Sequence, residues 1–123
     1  MNQKIKLVMS DIDGTLINKE NKVSERTKKA VHDLIDSGIE FGVATGRNYD
    51  SAVGIVKQLG LDPHVVPIVS LNGIMVNHDS LNYQFKDQTM GYEICKKLGL
   101  LGEKYYMGVL YFFEEKVYFH MDD

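Results

Sequence analysis

The segment VMSDIDGTLIN, residues 8–18, places two aspartates, Asp11 and Asp13, directly after a short apolar run and directly before a glycine. The run Ile5–Met9 is apolar and is followed by turn-forming residues, which predicts a buried strand. On an extended backbone, carboxylates two residues apart project to the same side. Gly14 lets the chain turn sharply away, so we expect the pair to stay open to a ligand.

The composition limits the classes of protein that the chain can represent. Its 123 residues make one domain, or one domain and part of another. A net charge of −3, with lysines and arginines scattered among acids, argues against a nucleic-acid-binding protein. Cys95 is the only cysteine, which excludes an internal disulfide and a thiolate-rich zinc site. This cysteine usage favours a reduced, cytoplasmic compartment. The first residues fit neither a signal peptide nor a membrane span.

Strands and helices are predicted to alternate in the first half of the chain. One helix begins after Ser24 and ends at Gly38, and another follows TGRN, residues 45–48, and ends at Gly60. They separate three predicted strands, Ile5–Met9, Ile39–Ala44 and His64–Val69. This order is typical of a right-handed parallel α/β sheet. Pro67 indicates an edge position or an irregularity in the third strand.

The pattern changes after Asn72-Gly73. We predict a hairpin, a helix and two further strands, at residues 74–76 with 81–85, 88–98, 105–113 and 116–121. The predicted fold class is therefore α/β: the first three strands of a Rossmann-like parallel sheet, followed by a β-rich α+β segment.

Two polar loops are predicted to meet at one edge of the sheet. In parallel sheets, ligands bind beyond the carboxyl ends of the strands, where the two aspartates and Thr45-Gly46-Arg47 both lie. Thr45 and the Gly46 amide could donate to phosphate oxygens near the start of a helix. A carboxylate nucleophile attacking phosphorus is known chemistry. Each carboxylate–phosphate charge pair repels by about 4 kcal/mol at ~4 Å and a dielectric near 20. Mg²⁺ bridging the two groups would remove this repulsion.

The hexapeptide DIDGTL, residues 11–16, together with ATGR, residues 44–47, resembles the haloacid dehalogenase superfamily, and specifically its Cof-like phosphatases. The resemblance implies that Asp11 is the nucleophile and a Mg²⁺ ligand. It implies that Asp13 is the general acid/base and a second ligand through its backbone carbonyl. Thr45 and Gly46 would hold the phosphoryl group, and Arg47 would lie at the substrate entrance.

The same resemblance implies a domain organisation. Residues 1–73 would be the N-terminal part of the core domain, and residues 74–123 the hinge and the first half of an α/β cap. Asn72 and Gly73, in SLNGIMV at residues 70–76, would sit beside the phosphate near the hinge. The family also has a later lysine and a later G-D-x-x-N-D motif, and neither is recognisable here. We therefore expect the N-terminal part of a longer hydrolase, with little or no activity by itself.

Other interpretations stay open at this point. The chain could be a phosphate- or metal-binding remnant without turnover, or a receiver-type domain that accepts phosphate on an aspartate. Thr45 could be only a helix cap, Arg47 only a surface ion-pair partner, and Asn72-Gly73 only a turn. The expected partner is a small phosphorylated metabolite of unspecified structure, with no nucleic acid and no membrane. Self-association is also expected, because strand Ile5–Met9 would present an unpaired edge.

Overall fold

The computed structural model describes residues 4–79, 81–84, 90–113 and 116–120, which divide into two compact units, residues 1–85 and 86–123. The first unit contains a five-stranded sheet in the order β1-β2-β3-β4-β5. Its elements, in chain order, are β1 (Leu7–Ser10), α1 (Glu25–Asp36), β2 (Glu40–Ala44), α2 (Tyr49–Gln58), β3 (Ile68–Ser70), β4 (Met75–His78) and β5 (Leu81–Gln84). Strands β1, β2 and β3 are parallel, and β4 and β5 add an antiparallel hairpin. The α/β prediction is confirmed.

Local capping signals set the ends of the first two helices. The Ser24 hydroxyl accepts from Thr27 N at 3.1 Å and begins α1. Asn48 begins α2 in the same way, with its Oδ1 atom accepting from Ser51 N at 3.0 Å. Gly38 follows α1 with a φ of 88°, a left-handed conformation that glycine adopts without strain. These helix boundaries agree with the sequence prediction because caps act over a few residues.

The core of the first unit lies between the parallel strands and their helices. Its buried members come from the β1–α1 loop, both helices, the strands and the segment before β3: Ile12, Leu16, Ile17, Val31, Phe41, Val43, Ala52, Ile55, Val56, Leu59, Val66 and Ile68. Ile12 is the member that lies between the two aspartates. The core therefore includes the segment that carries the predicted site.

The predicted third strand is wrong at its start. His64 donates its backbone N–H to Asp62 Oδ1 at 2.9 Å, and Val66 N donates to Asp62 O at 3.2 Å, so Asp62 holds these residues in a turn. Strand β3 begins only at Ile68. Pro67 directly precedes it, and its carbonyl accepts from Val43 N at 2.9 Å. A proline fits there because it has no N–H to place in the ladder.

The first unit extends beyond residue 73, because β4 and β5 hydrogen-bond in the same sheet as β3. The division into a core domain at 1–73 and a hinge with half a cap at 74–123 stays a prediction about the whole protein.

The second unit consists of α3 (Tyr92–Lys104) and an antiparallel pair, β6 (Val109–Phe113) and β7 (Lys116–His120). The predicted helix end at residue 98 is wrong, because α3 continues through Gly99 and Gly102. A Cβ atom at Gly99 would lie 2.8 Å from Tyr111 Oη, and one at Gly102 would lie 2.6 Å from Val109 Cγ2. Both glycines therefore permit the close packing of α3 on β6.

The predicted strand start at residue 105 is also wrong. Tyr105 and Tyr106 belong to the turn that ends α3, where their backbone N–H groups donate to carbonyls of the last helical turn. The predicted element ends at residues 85, 88 and 121 lie outside the described residues. Within the described ranges, no helix is long and apolar enough to cross a membrane.

Candidate active site

Asp11 and Asp13 lie in the turn that follows β1, with their side chains exposed on either side of buried Ile12. The Ile12 carbonyl accepts from Thr15 N at 3.2 Å and from Leu16 N at 3.0 Å, which turns the chain away from the sheet. Asp11 Oδ1 accepts from Ile12 N at 2.9 Å, so the turn also orients this carboxylate. A buried isoleucine thus holds two solvent-facing carboxylates at the end of a strand.

The loop after β2 is held to both neighbouring segments. Thr45 is buried, and its N–H donates to Val69 O at 2.9 Å. Its hydroxyl oxygen accepts from Arg47 N at 3.1 Å, which forms a tight turn just before α2. Gly46, between them, is exposed. The loop therefore presents an exposed backbone at the carboxyl end of β2, next to the first turn of a helix.

Arg47 joins this loop to the aspartate turn. Its Nε donates to Asp13 Oδ2 at 2.9 Å and its Nη2 donates to Asp13 Oδ1 at 2.7 Å, a two-point pairing between residues 34 positions apart. Its Nη1 donates to Ser51 Oγ at 3.0 Å. Among the described residues, no hydrogen bond joins Arg47 to Asp11. The structure therefore brings Asp13 and Arg47 together and leaves the Asp11 carboxylate beside them without this restraint.

The pairing shifts the pKa values of both partners in the direction that favours their charged forms. The hydrogen bonds from Arg47 hold the pKa of Asp13 below its usual value, its positive charge acts in the same direction, and desolvation opposes them. The same hydrogen bonds raise the pKa of Arg47. The side chain of Asp13 is 59% exposed and that of Arg47 is 24% exposed. A pair this exposed contributes less than about 1 kcal/mol to folding stability, so it matters more for orientation than for stability.

The loop after β3 packs against the Thr45–Arg47 loop. Leu71 N donates to Arg47 O at 2.9 Å and Asn72 N donates to Thr45 O at 3.1 Å. The three residues 71–73 all have positive φ, at 50°, 55° and 96°. For a leucine this left-handed conformation costs roughly 1–2 kcal/mol. The result is that the Asn72 side chain lies over Gly46, where a Cβ atom would be only 3.0 Å from Asn72 Oδ1.

The predicted site residues thus occupy three adjoining loops at the carboxyl edge of the sheet. Arg47 contacts Ser51 in addition to its ion-pair partner Asp13, and the Asn72 side chain lies next to Gly46 in addition to forming a turn. The chemical roles of all these residues stay predictions. Sequence reasoning missed Ser51 as a partner of Arg47. No helical spacing rule signals this contact, because Arg47 lies before the N-cap Asn48 and only Ser51 belongs to α2.

The oxygen donors at the site are few. Among the described residues, no group of three or more His, Cys, Asp or Glu side chains is placed to hold a metal ion. The Asp11 carboxylate and the Asp13 backbone carbonyl are hard oxygens of the kind that Mg²⁺ prefers. Mg²⁺ commonly keeps several waters and uses one or two carboxylates together with substrate phosphate. The donor set therefore fits an ion that is shared with a phosphate group.

Comparisons of the sequence with known proteins identify a family of hydrolases and several phosphatases. The family model for haloacid dehalogenase-like hydrolases matches residues 8–123. A 5-amino-6-(5-phospho-D-ribitylamino)uracil phosphatase of Bacillus subtilis is 32% identical over 125 residues, covering 100% of this chain and 45% of that protein. An HMP-PP phosphatase of Yersinia pestis is 36% identical over 61 residues, covering 50% of this chain and 22% of that protein.

A solved structure shares the fold as well. The crystal structure of a hypothetical protein from Geobacillus kaustophilus HTA426 superposes with a TM-score of 0.73 at 30% identity, covering 94% of this chain and 43% of that one. The chain spans less than half the length of these relatives. The resemblance seen in residues 11–16 and 44–47 is confirmed, and the chain belongs to the haloacid dehalogenase-like hydrolases.

Proposed function

We propose that this chain is the nucleophile-bearing part of a Mg²⁺-dependent phosphomonoester hydrolase that acts on a small phosphorylated metabolite. The observation that carries the proposal is the arrangement of the loops at the carboxyl edge of the sheet. Asp11 and Asp13 face solvent after β1, and Arg47 links Asp13 to the loop that presents the Gly46 backbone. A nucleophile, a proton carrier and donors for phosphate oxygens are thus available within one small region.

In the first half of the proposed reaction, the Asp11 carboxylate attacks phosphorus, and the bond from phosphorus to the leaving oxygen breaks. Asp13 gives a proton to that oxygen, and an aspartyl-phosphate remains on Asp11. In the second half, water attacks phosphorus, Asp13 takes the proton of the water, and phosphate leaves with the Asp11 carboxylate restored.

The ion pair with Arg47 favours the ionised form of Asp13, which is the form needed to accept a proton from water. For the first half Asp13 must gain a proton, and a phosphate ester with a second pKa near 6 can bring one in its monoanionic form.

Other residues of the three loops would hold the phosphoryl group. Thr45 and Gly46 are consecutive and the Asn72 side chain lies next to Gly46, so the Thr45 hydroxyl, the Gly46 amide and the Asn72 side chain could act on one phosphoryl group. Gly73 takes the left-handed φ of 96° that this loop needs, and it would line the same region. A Mg²⁺ ion held by Asp11 and the Asp13 carbonyl would supply positive charge that offsets the repulsion between carboxylate and phosphate.

The proposed substrate is defined only by class. The two curated relatives are named for different phosphate compounds, so similarity to them supports a phosphorylated metabolite without selecting one. A cytoplasmic location and the absence of nucleic-acid or membrane partners belong to the same proposal. Membership in a hydrolase family leaves the receiver-type alternative without support.

The test is a pair of substitutions in the whole protein. Asp11→Asn should abolish phosphatase turnover and leave the fold intact, because the amide has nearly the same shape but is a poor nucleophile. Asp13→Asn should lower the rate by roughly 10²–10⁴, the usual contribution of a general acid/base. Asp36→Asn, at an exposed aspartate that ends α1, is the matched control and should keep full activity. Appreciable turnover by Asp11→Asn would disprove the assignment.

A second candidate is a phosphate- or metal-binding remnant without turnover. It is favoured by the small number of metal donors among the described residues. Assays of this chain and of the whole protein against the same phosphate esters distinguish the two candidates, because a remnant would be inactive in both forms.

A further inference from the structure

The hydroxyl of Ser51 has no role in the function proposed above, yet it contacts the residue that holds Asp13. Arg47 donates three hydrogen bonds within the protein: two to the Asp13 carboxylate and one to Ser51 Oγ, at 3.0 Å. The second hydrogens of Nη1 and Nη2 stay available for another acceptor. Arg47 can therefore hold Asp13 and still donate to a phosphate group.

Ser51 is itself a fixed point. It lies in the first turn of α2, where its backbone N–H donates to Asn48 Oδ1 at 3.0 Å. The next residue, Ala52, is fully buried in the core, which fixes the position of this turn. A hydrogen bond to Ser51 Oγ thus connects a long and otherwise rotatable side chain to the rigid part of the protein.

The pairing between Arg47 and Asp13 would be loose without this third contact. Both side chains are partly exposed, and an exposed ion pair restrains its partners weakly because each can exchange the other for water. A planar guanidinium that is held at Nη1 can turn much less, so its Nε and Nη2 stay aligned with both carboxylate oxygens.

We propose that Ser51 is a positioning residue: its hydroxyl fixes the guanidinium of Arg47, and Arg47 in turn fixes the carboxylate of Asp13 in one orientation. The catalytic meaning of this arrangement rests on the proposed phosphatase function. Ser51 supports the helix cap through its backbone N–H and not through its hydroxyl, so Ser51→Ala keeps the cap. Alanine is also the better helix former. The substitution should therefore leave α2 intact and release only Arg47.

The direct test is ¹⁵N NMR of this chain, measuring the rate at which the Arg47 Nε–H exchanges with solvent. Ser51→Ala should speed this exchange severalfold, up to about tenfold, as expected for the loss of one partly exposed hydrogen bond of ordinary net strength. Ser51→Thr keeps the hydroxyl and should restore the wild-type rate. Tyr49→Phe removes a hydroxyl from the same helical turn and serves as the control, with no change expected.

A kinetic test in the whole protein uses p-nitrophenyl phosphate as the probe. Ser51→Ala should lower kcat severalfold with little change in KM, and Ser51→Thr should rescue it. In an Arg47→Gln background the same substitution should have no further effect, because its route to Asp13 is already broken. Equal losses in both backgrounds would overturn the proposal, since a general structural effect does not depend on Arg47.

The NMR test and the kinetic test distinguish failure of the proposal about Ser51 from failure of the proposed phosphatase function. If the Arg47 Nε–H of Ser51→Ala exchanges as slowly as in the wild type, or if the wild-type signal is already in fast exchange, the proposal about Ser51 is overturned and the phosphatase function is not. If the exchange rates are as expected but the whole wild-type protein has no turnover, the proposed function is overturned while the restraint of Arg47 by Ser51 is supported.

Discussion

Truncation of Ile12 should destabilise the fold strongly, although this residue lies between two exposed residues of the site. Ile12 is 0% exposed and belongs to the core, although both flanking residues, Asp11 and Asp13, face solvent. Truncation of a fully buried isoleucine to alanine costs about 2–5 kcal/mol, from lost burial and from the cavity that remains. Ile12→Val removes a single methylene and should cost about 0.5–1.5 kcal/mol. Since small domains are stable by only about 5–15 kcal/mol, Ile12→Ala should leave a marginal fold.

The assay is urea unfolding of this chain followed by circular dichroism. With a denaturant slope of about 1–3 kcal/mol/M, a loss of about 3 kcal/mol lowers the midpoint by about 1–3 M. Leu7→Ala is the matched control, because Leu7 is an aliphatic residue of β1 that is 45% exposed. It should cost about half as much as Ile12→Ala or less, because Leu7 buries only a little more than half of its surface.

Equal costs for Ile12→Ala and Leu7→Ala would refute this reasoning. Such a result would mean that Ile12 does not hold the aspartate turn against the core. The exposed positions of Asp11 and Asp13 would then need another explanation, and the geometry on which the proposed mechanism depends would lose its main support.

Two further predictions concern binding and assembly. Calorimetric titration of this chain with Mg²⁺ should show millimolar or undetectable affinity, because Asp11 and the Asp13 carbonyl provide too few fixed oxygens without a bound phosphate. A micromolar dissociation constant would contradict this donor set. Sedimentation at micromolar concentration should show dimers or larger species, because β1 ends the strand order of the described sheet and its Leu7 and Met9 side chains are exposed. A clean 14.0 kDa monomer with a cooperative melt would contradict this expectation.

The sequence alone determined the features that depend on neighbouring residues. The strand and turn around DIDGTL and the beginnings of α1 and α2 all follow from caps, glycines and apolar periodicity within a few positions. The order of parallel strands then predicted that the aspartate turn and the Thr45–Arg47 loop would share one edge of the sheet. The DIDGTL part of the family motif belongs to this level too, because its six residues lie in the single turn that follows β1.

Tertiary structure decided the rest. Helix α3 continues through Gly99, where β6 approaches too closely for a side chain. The glycine therefore serves helix–strand packing and does not end the helix, and no local pattern reveals this contact. The two-point pairing of Arg47 with Asp13 spans 34 positions, and the Asn72 side chain reaches Gly46 only because two backbone hydrogen bonds join their loops. Side-chain partners of this kind depend on strand register and loop geometry, so residue types and spacing identify the region of a site but not its internal contacts.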